Sequence, residues 1–262
     1  MLKFIHITDT HLVPPGELLY GLNPIDRLAM CIADVNRNHG DAAYAVVTGD
    51  LCHKGQPEAY AALRREFDKL TIPYHMLVGN HDDRANFRAA FPATQVDDNG
   101  FIQYSFEMGE GVLGICLDTN EPGKPWGTFC EKRGAWLKST LDQAGNRPVI
   151  VFMHHPPFKV RLKRMDDISL LEPKPFHDAI EGRTNIRHLF FGHLHRPVAG
   201  SWRGIPISTL RATSHQVALD FVIEGRIAGS HEPPAYGVCL LEDDQMIVHM
   251  HDFLDRTNTF LL

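Results

Sequence analysis

The sequence has no apolar run long enough to cross a membrane as a helix, which would require roughly 18 residues. It also has no excess of positive charge, because 26 Lys and Arg oppose 32 Asp and Glu and leave a net charge of −6. Proteins that coat long nucleic acids usually carry a basic face, so this balance argues against nucleic acid as a partner. The composition predicts a globular protein that does not enter a membrane.

Cysteine is scarce, with five residues, wide spacing and no Cys-x-x-Cys motif, so neither a disulfide framework nor a cysteine zinc site is expected. Segment Met1–Ile7 passes quickly into polar residues and lacks the long apolar stretch of a secretory signal, which favours the cytoplasm. Histidine is abundant, with 16 residues. It is a common metal ligand and the commonest acid–base side chain, so a histidine-based site is a natural hypothesis.

Five short apolar, β-rich segments each run into a polar cluster. They are Leu2–Ile7, Tyr44–Val47, Tyr74–Val78, Val149–Phe152 and His188–Phe191. Continuous apolar runs of this length are typical of strands buried on both faces. Patterns at helical spacing lie between them, beginning at Asn23-Pro24 and spanning Pro57–Leu70 and Glu131–Ala144. Strands that alternate with helices predict a layered α/β protein.

Two later segments, Gln103–Asp118 and Gly237–Phe253, have the pattern of hairpins and are predicted to add antiparallel strands to a second sheet. Segment 213–236 is interrupted by Pro and Gly. We interpret it as a lid over the site or as an excursion that contacts a second copy, which would make a homo-oligomer. One domain is expected over residues 1–262.

The polar clusters at the ends of the predicted strands supply one candidate site. In open α/β folds the carboxyl ends of the strands converge on one crevice. The side chains expected to meet there are Asp9, His11, Asp50, Asn80, His154, His193 and His195. This mixture of nitrogen and oxygen donors suits Mn, Fe, Zn or Co.

The spacing within two clusters indicates how they would bind. Asp9 and His11 are two positions apart, as are His193 and His195, and residues i and i+2 of an extended segment project to the same side. Glycines at positions 49, 79 and 192 flank the clusters and would allow a tight turn and close backbone approach.

Taken together, the clusters resemble the calcineurin-like metallophosphoesterase superfamily over roughly residues 3–210. The motifs that carry the resemblance are Asp9-x-His11, Gly49-Asp50, Gly79-Asn80-His81-Asp82, His154-His155-Pro156 and Gly192-His193-x-His195. Further segments are similar to the bacterial branch of class III cyclic nucleotide phosphodiesterases and glycerophosphodiesterases: Leu19-Tyr20-Gly21, Met153–Pro157 and Thr213–Gln216.

The resemblance implies an αββα sandwich, with two mixed β-sheets flanked by helices and a dinuclear metal site at the sheet edge. Asp9, His11 and His195 would bind one divalent cation, and Asn80, His154 and His193 would bind the other. Asp50 would bridge the two. His154 is preferred over His155 because the family pattern is His, any residue, then Pro.

The same assignment implies a mechanism. Two divalent cations and two carboxylates leave the site at about +2, which would attract a phosphate, and paired cations lower the pKa of a bridging water. The resulting hydroxide would attack phosphorus. His81 is expected to act as proton or hydrogen-bond donor to the leaving group, and Asp82 either to orient His81 or to serve the structure. Asn80, His81 and His215 are expected to contact substrate, with Tyr20 and Phe158 as weaker pocket candidates.

The leading interpretation is a phosphodiesterase for small substrates such as a cyclic nucleotide or a glycerophosphodiester. A phosphomonoesterase and a nuclease of the same superfamily are the alternatives. A metal-free interaction scaffold is disfavoured, because all seven predicted ligand positions hold residues that can bind metal.

Overall fold

A computed structural model describes residues 1–223, 225–257 and 260–261. Its strands, in chain order, are β1 (Leu2–Ile7), β2 (Ala45–Thr48), β3 (Tyr74–Leu77), β4 (Tyr104–Gly109), β5 (Val112–Cys116), β6 (Gly127–Thr128), β7 (Val149–Phe152), β8 (Leu170–Glu172), β9 (Ile186–Phe190), β10 (Val198–Trp202), β11 (Ile205–Thr209), β12 (Gln216–Val217), β13 (Gly229–Ser230), β14 (Tyr236–Leu241) and β15 (Met246–His251).

The helices among the described residues alternate with these strands over most of the chain. They are α1 (Pro24–His39), α2 (Pro57–Phe67), α3 (Arg84–Ala90), α4 (Glu131–Ala144), α5 (Lys163–Asp166) and α6 (Lys174–Ile180). The predicted start of α1 is confirmed, because the Asn23 side chain accepts a hydrogen bond from the Ile25 backbone amide at 3.1 Å. Helix α2 ends three residues earlier than Leu70, the predicted end.

Two large mixed sheets form the centre of the fold. The first has strand order β15-β14-β1-β2-β3, and the second has order β10-β11-β9-β7-β5-β4. Strands β1, β2 and β3 are mutually parallel, as are β5, β7 and β9. The carboxyl ends of each parallel set therefore lie at one edge of its sheet.

Three apolar cores show that the layers are stacked as helix, sheet, sheet and helix. The first core joins α1 and α2 to one face of the first sheet, through residues such as Leu28 and Leu63. The second joins α4 and α6 to the second sheet. Between the sheets lies a third core rich in aromatic rings, where Phe152 stacks on Phe190 at 5.2 Å and 11°. The predicted αββα architecture is confirmed.

The five predicted strands are confirmed to within one or two residues, and β2 and β7 are buried along their whole length. Both hairpins form, but the prediction that both join a second sheet is wrong. The β4–β5 hairpin extends the second sheet, whereas β14 pairs with β1 and brings the C-terminal hairpin into the first. Among the described residues, no helix is both long and apolar enough to span the bilayer.

Helix α4 packs against α6 through a glycine, and this contact yields a test of the layer packing. A Cβ added to Gly134 would lie 2.8 Å from Pro175 Cβ and 3.0 Å from the Pro175 carbonyl oxygen. Helix propensity alone favours alanine over glycine by about 1 kcal/mol, whereas overpacking costs about 1–3 kcal/mol. We therefore expect Gly134→Ala to lower the denaturant midpoint. In the same helix the exposed Ser139→Ala should raise or preserve it, and a Gly134→Ala variant more stable than wild type would contradict the packing.

Candidate metal centre

The carboxyl ends of the parallel strands in both sheets meet at one edge of the molecule, and the loops that follow them bring the predicted ligands together. Loops after β1, β2, β3, β7 and β9 contribute all seven side chains: Asp9, His11, Asp50, Asn80, His154, His193 and His195. Except for Asn80, which is half-buried, all are buried. The convergence predicted from strand ends therefore occurs.

One group of ligand atoms is built around Asp9 and His11, which lie in the loop after β1. His11 Nε2 is 3.0 Å from His195 Nε2 and 3.4 Å from Asp50 Oδ2, and His195 Nε2 is 3.4 Å from Asp9 Oδ1. One ligand atom from each of these four residues lies within 4.8 Å of the others. Two carboxylates and two imidazoles at such distances fit a divalent cation.

A second group lies beside the first and shares Asp50 with it. His154 Nε2 is 3.3 Å from Asp50 Oδ2 and 3.2 Å from Asn80 Oδ1. His193 Nδ1 is 3.0 Å from the same Asn80 oxygen. Asp50 Oδ2 thus lies between the two groups, 3.3 Å from His154 and 3.4 Å from His11. This arrangement fits a dinuclear centre with a bridging carboxylate.

The hydrogen bonds of His154 test whether these groups suit a cation. Its Nδ1 lies 2.8 Å from the Thr48 carbonyl oxygen, which can only accept, so Nδ1 carries the proton. In the neutral ring Nε2 is then a bare lone pair facing two further acceptors, the oxygens of Asp50 and Asn80. A cation between them would satisfy all three.

His195 has the same arrangement on the other side. Its Nδ1 is 2.8 Å from the His215 carbonyl oxygen and therefore donates, which in the neutral ring leaves Nε2 bare toward Asp9 Oδ1 and His11 Nε2. Metal-binding histidines commonly donate their second nitrogen to a carbonyl in this way, which fixes the tautomer. The donor set therefore fits two cations.

The charges of the site follow from the same contacts. Burial alone would raise the pKa of Asp50, but the adjacent His154 ring holds the pKa well below its usual range. His195 similarly lowers the pKa of Asp9 against the effect of burial. In return Asp50 raises the pKa of His154 to about 9, although burial alone would lower it. Both carboxylates are thus ionised at neutral pH and attract positive charge.

The backbone of the site is strained. Asp9, His11, Asp50, His193 and His195 have φ values of 53°, 45°, 49°, 67° and 48°, in the left-handed region that residues other than glycine rarely adopt. Such conformations cost of order 1–3 kcal/mol each and concentrate at functional sites. The prediction that the two i, i+2 pairs converge through extended backbone is therefore wrong. They converge through turns.

Glycines allow the loops to approach closely, as predicted. A Cβ on Gly79 would lie 2.2 Å from Asp50 Oδ1, and one on Gly192 would lie 2.3 Å from Thr8 Oγ1. Any side chain at either position would displace a group next to the site.

Asp82 does not face the cleft. Its buried carboxylate accepts backbone N–H bonds from Gly79, Leu51 and Cys52 at 2.9–3.1 Å and an O–H bond from Tyr60 at 2.8 Å. It therefore ties the loop after β2 to the loop after β3. Burial and the nearby Asp50 charge raise the pKa of Asp82 to about 6.

His81 lies at the mouth of the cleft and is oriented by a residue that the sequence analysis did not single out. His81 Nδ1 donates to the His53 carbonyl oxygen at 2.7 Å, and the two rings stack at 5.0 Å and 20°. His81 Nε2 is 4.0 Å from Asp50 Oδ2. His53 Nδ1 is also 3.3 Å from His11 Nδ1. The sequence feature that could have identified His53 is its position, three residues after Asp50.

His155 has no hydrogen bond to Asp50, although one of its ring nitrogens lies within 4.8 Å of a ring nitrogen of His154 and of His193. Its Nδ1 lies 2.7 Å from Thr119 Oγ1, while its Nε2 is buried with no partner among the described residues. His154, by contrast, contacts both Asp50 and Asn80.

A cleft of about 690 Å³ opens above the site. His215 and Tyr20 line it, with their rings 4.7 Å apart. Phe158, the other weaker pocket candidate, packs on Phe191 in the second core and does not line the cleft. Several further lining residues carry no sequence signal and lie mostly in segment 213–236 or near α5: Met165, Ile168, Val217, Ile227 and His231.

Proteins with similar sequences are named phosphodiesterases. A "probable cyclic nucleotide phosphodiesterase" of Rhodopseudomonas palustris is 42% identical over 97% of this chain and 93% of its own length. A glycerophosphodiester phosphodiesterase of Enterobacter lignolyticus is 32% identical, with coverages of 81% and 77%.

Solved structures share the fold at low sequence identity. A dimetal phosphatase from Danio rerio superposes with a TM-score of 0.72 and 14% identity, and 97% of each chain is covered. A purple acid phosphatase from yellow lupin superposes with a TM-score of 0.68 and 12% identity, and the match covers 98% of this chain and 52% of the other. The family description "calcineurin-like phosphoesterase" matches residues 2–197. This chain is a member of the calcineurin-like phosphoesterase family.

Proposed function

We propose that this protein hydrolyses small phosphodiesters with two divalent cations held at the cleft floor. The observation that carries the proposal is the position of Asp50 Oδ2, which lies 3.4 Å from His11 Nε2 and 3.3 Å from His154 Nε2. One carboxylate oxygen between two histidines from different loops fits a metal pair with a bridging carboxylate.

The residues divide into two ligand sets that share Asp50. Asp9, His11 and His195 would hold one cation, and the other would be held by Asn80, His154 and His193. When bound, such cations polarise phosphate oxygens and lower the pKa of a water. The mixed nitrogen and oxygen donors favour Mn, Fe, Zn or Co over Mg or Ca.

The protein's own groups would orient the substrate and protonate the leaving group. His81 donates Nδ1–H to the His53 carbonyl oxygen, which leaves Nε2 directed to the cleft, where a protonated ring can donate to a leaving oxygen. Asn80 and His215 line the same cleft and would contact substrate. Asp82 is proposed as a positioning residue, because its four hydrogen bonds hold the two loops that carry Asp50 and Asn80.

The cleft wall favours a nucleotide over a glycerol headgroup. Tyr20, Met165, Ile168 and Val217 offer apolar surface and an aromatic ring, which suit a base better than a polyol. Relatives of this chain are named for both substrate classes. We therefore propose a cyclic nucleotide as the preferred substrate and a glycerophosphodiester as the second candidate.

Segment 213–236 is proposed as one wall of this cleft. Its strands β12 and β13 pair with each other, and Gln216 and Ser230 line the cleft. Leu219, Phe221 and Val222 of this segment are exposed, and a contact between copies of the chain would form there. All five cysteines are free thiols, which favours a reducing compartment, and we propose the cytoplasm.

The reaction class is tested with two chromogenic esters. We expect the manganese-loaded protein to cleave bis-nitrophenyl phosphate with a kcat/KM at least about tenfold above that for nitrophenyl phosphate, a difference of ~1.4 kcal/mol in activation free energy. A preference for the monoester would support a phosphomonoesterase instead. A cyclic nucleotide and glycerophosphocholine, compared next, separate the two diester classes.

The bridging role of Asp50 is tested by metal content. Calorimetric titration of the metal-free protein should show two manganese ions per chain, and Asp50→Ala should weaken both sites, because each group of ligand atoms includes this carboxylate. Asp34→Asn is the matched control, a buried carboxylate that pairs with Tyr236 and His251 outside the cleft. It should retain both ions. Undiminished binding by Asp50→Ala would refute the ligand assignment.

The proposed role of His81 predicts a dependence on the leaving group. His81→Ala should lower kcat by about 10²–10⁴ for an alkyl diester, whose leaving alkoxide needs a proton, and far less for a nitrophenyl ester. Both metal ions should be retained, and the exposed His249→Ala should leave both rates unchanged. Equal losses on the two substrates, or loss of metal, would rule the role out.

A further inference from the structure

A row of buried polar side chains runs from the interior of the first sheet to the metal centre. His6 Nε2 lies 2.9 Å from Thr48 Oγ1, Thr48 Oγ1 lies 2.8 Å from Thr8 Oγ1, and Thr8 Oγ1 lies 2.7 Å from Asp9 Oδ2. All four residues are completely buried. We call His6, Thr48, Thr8 and Asp9 the hydrogen-bond row.

The direction of every hydrogen bond in the row is fixed by its last member. The ionised Asp9 carboxylate can only accept, so the Thr8 hydroxyl donates to it. Thr8 then has no second proton, so Thr48 donates to Thr8. Thr48 has likewise used its proton, so His6 must donate from Nε2. His6 is therefore the neutral Nε2–H tautomer, and burial lowers its pKa to about 3.

This arrangement is costly for a residue that only fills space. Nδ1 of His6 is buried without a partner among the described residues, a penalty that an apolar side chain would not carry. The ring does have packing contacts, with its centroid 5.0 Å from that of Phe190. The cost of this nitrogen favours a role for the Nε2–H donor beyond apolar packing.

Thr48 connects the row to both halves of the site. Its hydroxyl is in the row, while its backbone carbonyl oxygen accepts the Nδ1 proton of His154 at 2.8 Å. Gly192 covers this junction, and a Cβ there would lie 2.3 Å from Thr8 Oγ1 and 2.7 Å from the Thr48 carbonyl oxygen. The two contacts of Thr48 can be separated by mutation, because a side-chain change removes only the first.

We propose that His6, Thr48 and Thr8 are positioning residues that hold the Asp9 carboxylate in the orientation its cation needs. The row fixes Oδ2, while Oδ1 accepts the His193 backbone N–H at 3.0 Å and faces His195 Nε2 at 3.4 Å. With Oδ2 held, Oδ1 keeps its position opposite His195 Nε2. This inference rests on the proposed metal assignment of Asp9.

Thr48→Val is the primary test, since valine matches threonine in shape and leaves the carbonyl bond to His154 intact. Calorimetric titration of the metal-free protein with manganese should show weaker binding at one of the two sites and unchanged binding at the other. The full loss of about 10–100-fold is expected for Thr8→Ala, which removes the direct partner of Asp9. Thr48→Ser, which keeps the hydroxyl, should bind manganese as tightly as wild type. Thr8→Ala is the second variant, because it removes the last donor and leaves the His6–Thr48 pair in place.

A double-mutant cycle separates positioning from general destabilisation. In an Asp9→Ala background, Thr48→Val should cause no further loss of affinity, because the carboxylate it orients is gone. Ser208→Ala is the matched control, since Ser208 Oγ lies 2.8 Å from the buried His188 Nε2 but does not lead to a carboxylate of the site. It should change neither affinity, and the melting temperature of each metal-free variant is measured alongside.

The outcomes distinguish this inference from the proposed function. If wild type binds two ions and both Thr48→Val and Thr8→Ala keep both affinities, the row has no positioning role. Equal weakening of both sites, or additive losses with Asp9→Ala, also overturns it. A wild-type protein that binds no manganese overturns the proposed function and this inference together.

Discussion

The buried Asp50 carboxylate is the group on which the organisation of the site depends. One of its oxygens faces the nitrogens of two histidines from different loops, and Asn80 and Asp9 add further acceptors nearby. Hydrogen bonds to carbonyl oxygens hold the protons of His154 and His195 on the far side of each ring. When both rings are neutral, lone pairs face one another in a space of low polarity, an arrangement that is unfavourable unless positive charge, a proton or a cation, lies between them.

The fold must stabilise this arrangement against electrostatic repulsion and backbone strain. Five of the seven predicted ligands have positive φ. Because each such residue costs of order 1–3 kcal/mol of folding free energy, the site lowers the stability of this part of the molecule. The surrounding contacts oppose it. Asp82 joins the loops that carry Asp50 and Asn80, and Asn120 donates to the carbonyl oxygens of Gly79 and Asp82. The three apolar cores supply the stabilisation that allows one edge of the molecule to be strained.

Much of the fold could be predicted because its central strands are buried on both faces and therefore appear as continuous apolar runs. Strands without that signal were missed. Strand β10 is mostly exposed and contains Gly200 and Ser201, so its sequence resembles a loop. The C-terminal hairpin was found but placed in the wrong sheet, because its pattern is the same whichever strand it pairs with. Only the register with β1 decides that question.

The sequence by itself determined which residues could form the site. Each predicted metal ligand follows an apolar strand, and the carboxyl ends of parallel strands lie at one edge of a sheet. Tertiary structure alone decided how those groups act. The stacking of His53 on His81, the tautomers set by Thr48 and His215, and the turn of Asp82 away from the cleft all depend on contacts between distant segments. The physical reason is that hydrogen-bond direction and backbone strain are properties of packed neighbours, which residue order does not specify.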